Sequence, residues 1–138
     1  SHVLSEAQEL GVAEADPTFD VGGIDTALKC VILSNVLSGG GFCLSDANVE
    51  GIQHISNYAL NLADKSGLTI RLIGEATREG VNVAPMLVPK TGDLAVEGTQ
   101  NIVQVTTEHG GVLNLAGAGA GGGPTASAIF LDIQRLIV

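Results

Sequence analysis

The chain has 138 residues, 45% hydrophobic and only 3% aromatic, which suits one domain over 1–138 with an aliphatic core. Six Lys+Arg against 15 Asp+Glu give a net charge of −9, which argues against nucleic acid and anionic membranes as partners. No apolar run reaches the length of about 18 residues needed to span a membrane, and no basic stretch leads into an apolar one as in a signal peptide.

Val3, Leu4, Ala7 and Leu10 give residues 3–10 the stripe of an amphipathic helix, ended by Gly11. Residues 12–22 read as a polar loop with a turn at Asp16-Pro17. A long helix is expected over 24–37, closed by Gly39, Gly40 and Gly41. Two cysteines, Cys30 and Cys43, suit a reducing cytoplasm as two buried free thiols, with a Cys30–Cys43 bridge as the alternative. Val49-Glu-Gly-Ile52 reads as a short strand. Residues 56–65 read as an amphipathic helix with Tyr58, Leu60, Leu62 and Ala63 inward, stopped by Gly67.

The period then changes. Residues 68–76 alternate as a strand does, and 78–80 form a turn. Residues 81–88 read as a second strand, in which Pro85 points to an edge or a bulge. Residues 101–107 and 111–116 read as an antiparallel hairpin around a turn at Glu108–Gly111. A glycine-rich loop over 117–123 leads into a last helix at 124–137. Helices first, strands in the middle and a closing helix predict an α+β fold. Its sheet is expected to be mostly antiparallel, with helices packed on one face. The strands carry more aliphatic positions than one helical layer can cover, so a face or edge is expected to meet a second copy.

Two segments could carry chemistry. In a chain poor in charge, Glu14, Asp16, Asp20, Asp25 and Lys29 crowd into 16 residues. The plain reading is an acidic loop, a carboxylate favouring a helix dipole at Asp20, and an i,i+4 ion pair from Asp25 to Lys29. The functional reading is a pocket for a zwitterionic small molecule. Carboxylates would take its ammonium group, and the lysine would handle a hydroxyl or carbonyl proton. The second segment is Ala116-Gly-Ala-Gly-Ala-Gly-Gly-Gly-Pro-Thr-Ala126. It reads plainly as a loop with Pro124 in the first turn of a helix. Functionally, it reads as backbone that can approach a phosphate closely. It lacks the Lys-Ser/Thr of a P-loop, and it does not follow a first strand as a dinucleotide fingerprint does. His2, His54 and His109 are isolated from other ligand types, so no metal site is expected.

The first segment resembles the start of the catalytic domain of homoserine dehydrogenases. There a helix ending Leu-Gly precedes a Glu-x-Asp-Pro, Asp, Gly-x-Asp-x-x-x-Lys pattern. Here Leu10-Gly11, Glu14, Asp16-Pro17, Asp20, Gly23, Asp25 and Lys29 stand in that order. The resemblance implies that Glu14 and Asp20 bind the amino acid substrate. It places Asp25 beside the reacting carbon's oxygen and makes Lys29 the acid/base. The glycine segment is similar to the family's closing Gly-Ala-Gly and Pro-Thr-Ala, which implies that Gly121 and then Gly119 contact NAD or NADP. Val49–Ile52, Thr69–Gly74, Leu87–Lys90 and Ala95–Gly98 extend the likeness over nearly the whole chain.

The implied reaction interconverts L-homoserine and L-aspartate 4-semialdehyde, and the family dimerises through this domain. Its nucleotide-binding domain, with a further active-site lysine and a cation-binding loop, has no counterpart in these 138 residues. The expectation is therefore a catalytic domain that binds cofactor poorly and turns over little by itself. The competing reading is a non-catalytic module that binds an amino acid or dimerises.

Overall fold

The computed structural model describes Glu6 and residues 16–137. The helix expected over 3–10 and the substrate-binding role expected of Glu14 lie outside the described residues, except that Glu6 is helical. The described residues fall into two compact units that meet in sequence at Gly92 and Asp93, and each is taken by itself.

In the unit ending at Gly92, a four-residue helix, α1 (Thr18–Val21), stands where a polar loop is expected. Asp16 explains it. Its Oδ1 accepts hydrogen bonds from the Thr18 amide (3.0 Å), a backbone donor that a helix start leaves open, and from the Thr18 hydroxyl (2.5 Å). Those two bonds hold the Asp16 carboxyl below its ordinary pKa, the hydroxyl contributing most. The long helix α2 (Ile24–Ser38) follows after Gly22 and Gly23. Ala27, Cys30, Val31 and Ser34 are its buried side, at the i, i+3, i+4, i+7 spacing of one helical face. Gly39, at φ 65°, ends it in the left-handed region. Asn35 then holds the chain that follows. Its Nδ2 donates to the Phe42 carbonyl (2.9 Å), and its Oδ1 accepts from the Phe42 amide (3.0 Å).

A 3₁₀ turn (Leu44–Asp46), β1 (Asn48–Val49), α3 (Asn57–Lys65), β2 (Leu68–Ala76) and β3 (Val81–Pro89) complete this unit. The sheet order is β1-β3-β2, with β3 antiparallel to β2 and parallel to β1. Val81 and Val83 of β3 pack with Ala27, Cys30 and Val31 of α2, and Phe42, Leu44, Ala47, Val49 and Leu72 close around them. The core is thus aliphatic, as composition requires. Pro85 pairs in register with Leu72, but β1 reaches only as far as Val83. Pro85 therefore lies where β3 has β2 alone as a neighbour, which is the edge position expected of it.

The inward set expected of α3 is corrected. Ala63 is buried, but Tyr58 is 76% exposed, and Leu60 and Leu62 are exposed as well. Ser56 caps the helix by accepting from the Ala59 amide (3.2 Å), so local signals place α3 correctly while only Ala63 is buried. The cysteine reading is corrected in part. Both thiols are free, and Cys30 is buried, but Cys43 is exposed at the start of the 3₁₀ turn.

In the unit from Asp93, β4 (Gln100–Thr107) and β5 (Gly111–Ala118) form the expected antiparallel hairpin. Thr107 holds its turn, donating to the Gly111 carbonyl (2.9 Å) and accepting from the Gly110 amide (2.9 Å). Asp93 Oδ2 accepts from Asn114 Nδ2 (2.6 Å), and Asn114 Oδ1 accepts from Gln104 Nε2 (3.0 Å), which ties residue 93 to the hairpin. The last helix, α4, spans Gly122–Ile137. The strand runs on through Ala118 and the helix begins at Gly122, so the glycine loop shrinks to a turn over 119–121. The class is α+β, and its strands divide between a three-stranded and a two-stranded sheet.

Candidate functional site

Lys29 and Asp25 come together as their spacing demands. Lys29 Nζ lies 2.6 Å from Asp25 Oδ2, with the two side chains 52% and 50% exposed. They lie away from the buried Ala27, Cys30 and Val31 of the same helix, so the charges stay in contact with water while the helix is anchored behind them. An exposed pair of this kind contributes only about 0.2–0.5 kcal/mol to stability. Its consequence is geometric: a lysine held in one orientation on a rigid element, open to a ligand.

The helix carrying that pair is fixed at its start by glycine. Gly23 is at φ 82°, a left-handed conformation, and is buried. A Cβ there would meet Val49 Cγ1 at 3.2 Å and Val83 Cγ1 at 3.4 Å. The Val49–Ile52 segment then staples the corner. The Glu50 amide donates to the Val83 carbonyl (2.8 Å), and the Ile52 amide donates to the Val21 carbonyl (2.8 Å). Gly51 passes so close to the Val21 carbonyl and Gly22 that a side chain would collide with both. α1, which carries the exposed Asp20, is thus tied to β3 through the backbone of residues 50–52. Val49–Ile52 is expected as a short strand and as part of the family likeness; the strand is Asn48–Val49, and Gly51 just beyond it is the available signal for a close backbone approach.

The glycine turn is the second feature. The Gly119 amide donates to the Thr99 carbonyl (2.8 Å), extending the hairpin ladder beyond β5. Gly121 is at φ 117°, and its carbonyl accepts from the Thr125 amide (3.1 Å) in the first turn of α4. A Cβ at Gly122 or Gly123 would meet nothing within 4 Å, so bare backbone at the start of a 16-residue helix stands open. Open backbone amides at a helix N-terminus are the chemistry that fits a nucleotide's phosphates. Gly119 differs: the space a side chain would fill there already holds the Asn101 amide.

A shallow acidic hollow lined by Asp46, Glu75, Glu79 and Asn82 at the β2–β3 turn contains none of the expected site residues. Among the described residues, no three His, Cys, Asp or Glu side chains converge as a metal group would. No helix among them is long and apolar enough to cross a membrane.

The homoserine dehydrogenase family model matches residues 1–134. The chain belongs to the homoserine dehydrogenase family. It is 46% identical over 133 residues to the homoserine dehydrogenase of Methanocaldococcus jannaschii, covering 96% of this chain and 40% of that one. An NAD(+)-dependent homoserine dehydrogenase of Pseudomonas canavaninivorans is 37% identical over 142 residues, with 99% and 40% covered. A crystal structure of a putative homoserine dehydrogenase from Archaeoglobus fulgidus superposes with a TM-score of 0.89 at 47% identity, over 98% of this chain and 42% of that one. A hyperthermophilic archaeal homoserine dehydrogenase mutant in complex with NADPH superposes with a TM-score of 0.80 at 30% identity, over 97% and 39%. The chain thus spans about two fifths of these proteins. The family is one of oxidoreductases that use a nicotinamide cofactor.

Proposed function

We propose that this chain is the substrate-binding and proton-transfer part of an enzyme that interconverts L-homoserine and L-aspartate 4-semialdehyde. The reaction belongs to cytoplasmic threonine, methionine and isoleucine biosynthesis. The observation that carries the reading is the Lys29–Asp25 pair at 2.6 Å, half exposed on an anchored helix within the family's match.

The chemistry a bound nicotinamide cofactor would supply is hydride transfer at the reacting carbon, the oxidised form accepting and the reduced form donating. Reduction of the aldehyde places negative charge on its oxygen, and the Lys29 ammonium donates the proton that neutralises it. In the reverse direction the neutral amine takes the hydroxyl proton. Asp25 keeps the ammonium oriented toward that oxygen. Glu14 and Asp20 take the substrate's ammonium group, and a charge-assisted hydrogen bond of this kind contributes about 1.5–3 kcal/mol. The open backbone that follows Gly121 at the start of α4 would hold the cofactor's phosphates, in keeping with a chain too acidic to do so with basic side chains, and Gly119, whose amide is bonded to the Thr99 carbonyl, would border the cofactor without donating to it. The enzyme works as a homodimer.

The test is a full-length homoserine dehydrogenase carrying this chain, assayed for homoserine-dependent reduction of NAD and NADP. Activity with homoserine supports the reading. A protein that binds homoserine without turning it over is instead the non-catalytic module.

A further inference from the structure

We propose that Asn101 is a positioning residue for the nicotinamide cofactor, its side-chain amide fixing the course of the glycine turn that faces that ligand. The proposal rests on the cofactor-facing reading of Gly119 and Gly121. Asn101 on β4 and Gly117 on β5 are partners in register. Side chains alternate along a strand, so Gly119 is the next residue of β5's path on the same face. Such diagonal neighbours are within reach of one another across a hairpin. With no Cβ at 117 or 119, that face is bare backbone, and the Asn101 amide lies across it: its Nδ2, Cγ and Oδ1 all crowd the point where a Gly119 Cβ would stand.

The backbone at Gly119 is outside the left-handed region, unlike that at Gly121. At 119 it is the Asn101 amide, not the backbone conformation, that occupies the place of a side chain. The turn is held from two sides, by the bond from the Gly119 amide to the Thr99 carbonyl (2.8 Å) and by the amide lying against it. Two residues later the chain swings through Gly121 into α4. A shift at 119 is thus passed directly to the amides at the helix start. Asn101 is exposed, so its side chain is not part of a buried core.

The experiment uses a full-length homoserine dehydrogenase carrying this chain. It measures Kd for NADH and NADPH by fluorescence titration without substrate, thermal midpoint, and KM for homoserine. The variants are Asn101→Ala, Gly119→Ala, the two together, and Gly121→Ala. Asn101→Ala is expected to weaken dinucleotide binding about three- to tenfold, the loss of a single positioning contact, with the thermal midpoint and homoserine KM nearly unchanged. Gly119→Ala displaces the amide and has a similar effect. The double variant is expected to be no worse than either single one, because the amide to be displaced is gone. Losses that multiply, or an unchanged Kd in Asn101→Ala while Gly121→Ala weakens binding, overturn the proposal and leave the cofactor reading standing. An unchanged Kd in all the variants overturns the cofactor reading, and the proposal with it.

Discussion

The Cys30 sulfur fills the space into which a side chain at Gly74 would project. A Cβ at Gly74 would collide with Cys30 Sγ and come within 3.0 Å of Thr26 Cγ2. Strand β2 can approach helix α2 this closely only because position 74 has no side chain. Gly74→Ala is expected to destabilise the fold by about 1–3 kcal/mol, the usual cost of overfilling a packed core. Denaturant unfolding reads the loss, and Cys30→Ala in the same background should return part of it. If the two substitutions are additive, the contact is not what constrains the helix.

The same burial predicts unequal thiols. Burial pushes the Cys30 thiol above its ordinary pKa, because the thiolate is poorly solvated there. Cys43 is exposed. In the native protein one thiol should react promptly with an alkylating reagent and the second only on unfolding; mass spectrometry of the peptides identifies which. The linkage also has a sign. The unfolded chain ionises Cys30 more readily than the folded one. The stabilisation is therefore complete below the ordinary thiol range and declines as pH rises through it. Stability that rises over that range would contradict the assignment.

The strands were the most legible part of the fold, because the change of period after Gly67 and the turn at 78–80 bound two extended runs, although burial along β2 does not alternate. Two helix ends were legible from local signals: Gly39 closes α2 and Gly67 follows α3, both in the left-handed region. The sequence was silent where tertiary packing decides. Tyr58, Leu60 and Leu62 look like a core stripe, but only Ala63 of α3 is buried. The α1 helix depends on Asp16 satisfying Thr18, a contact that spacing permits without requiring. At the site, Asp25 and Lys29 could be paired from their four-residue interval alone. The staple at residues 50–52 could not be found that way, since it joins backbone groups far apart in sequence. Nor could the use of Gly119, which depends on the register of Asn101 against β5.

Val112, Leu113 and Leu115 on β5 are exposed, as are Ile129, Phe130, Ile133, Leu136 and Ile137 on α4. So many exposed aliphatic side chains favour self-association. Light scattering at tens of micromolar should show a species of twice the 14.0 kDa chain mass. A clean monomer at that concentration would count against the dimer.

Glu14→Gln should chiefly raise KM for homoserine, by about tenfold or more, since a charge-assisted hydrogen bond to the substrate is lost. If it binds ground state and transition state alike, kcat holds while KM rises. Unchanged kinetics would make Glu14 a solvated loop charge.

The role proposed for Lys29, moving the hydroxyl proton while Asp25 holds it, is decided by the Lys29→Ala variant of a full-length enzyme carrying this chain. Steady-state kinetics should show kcat reduced by about 10²–10⁴-fold, the usual loss when a positioned acid/base is removed, with KM for homoserine changed far less. A variant that keeps near-normal kcat would remove Lys29 from the mechanism and leave its pairing with Asp25 as an ordinary surface contact.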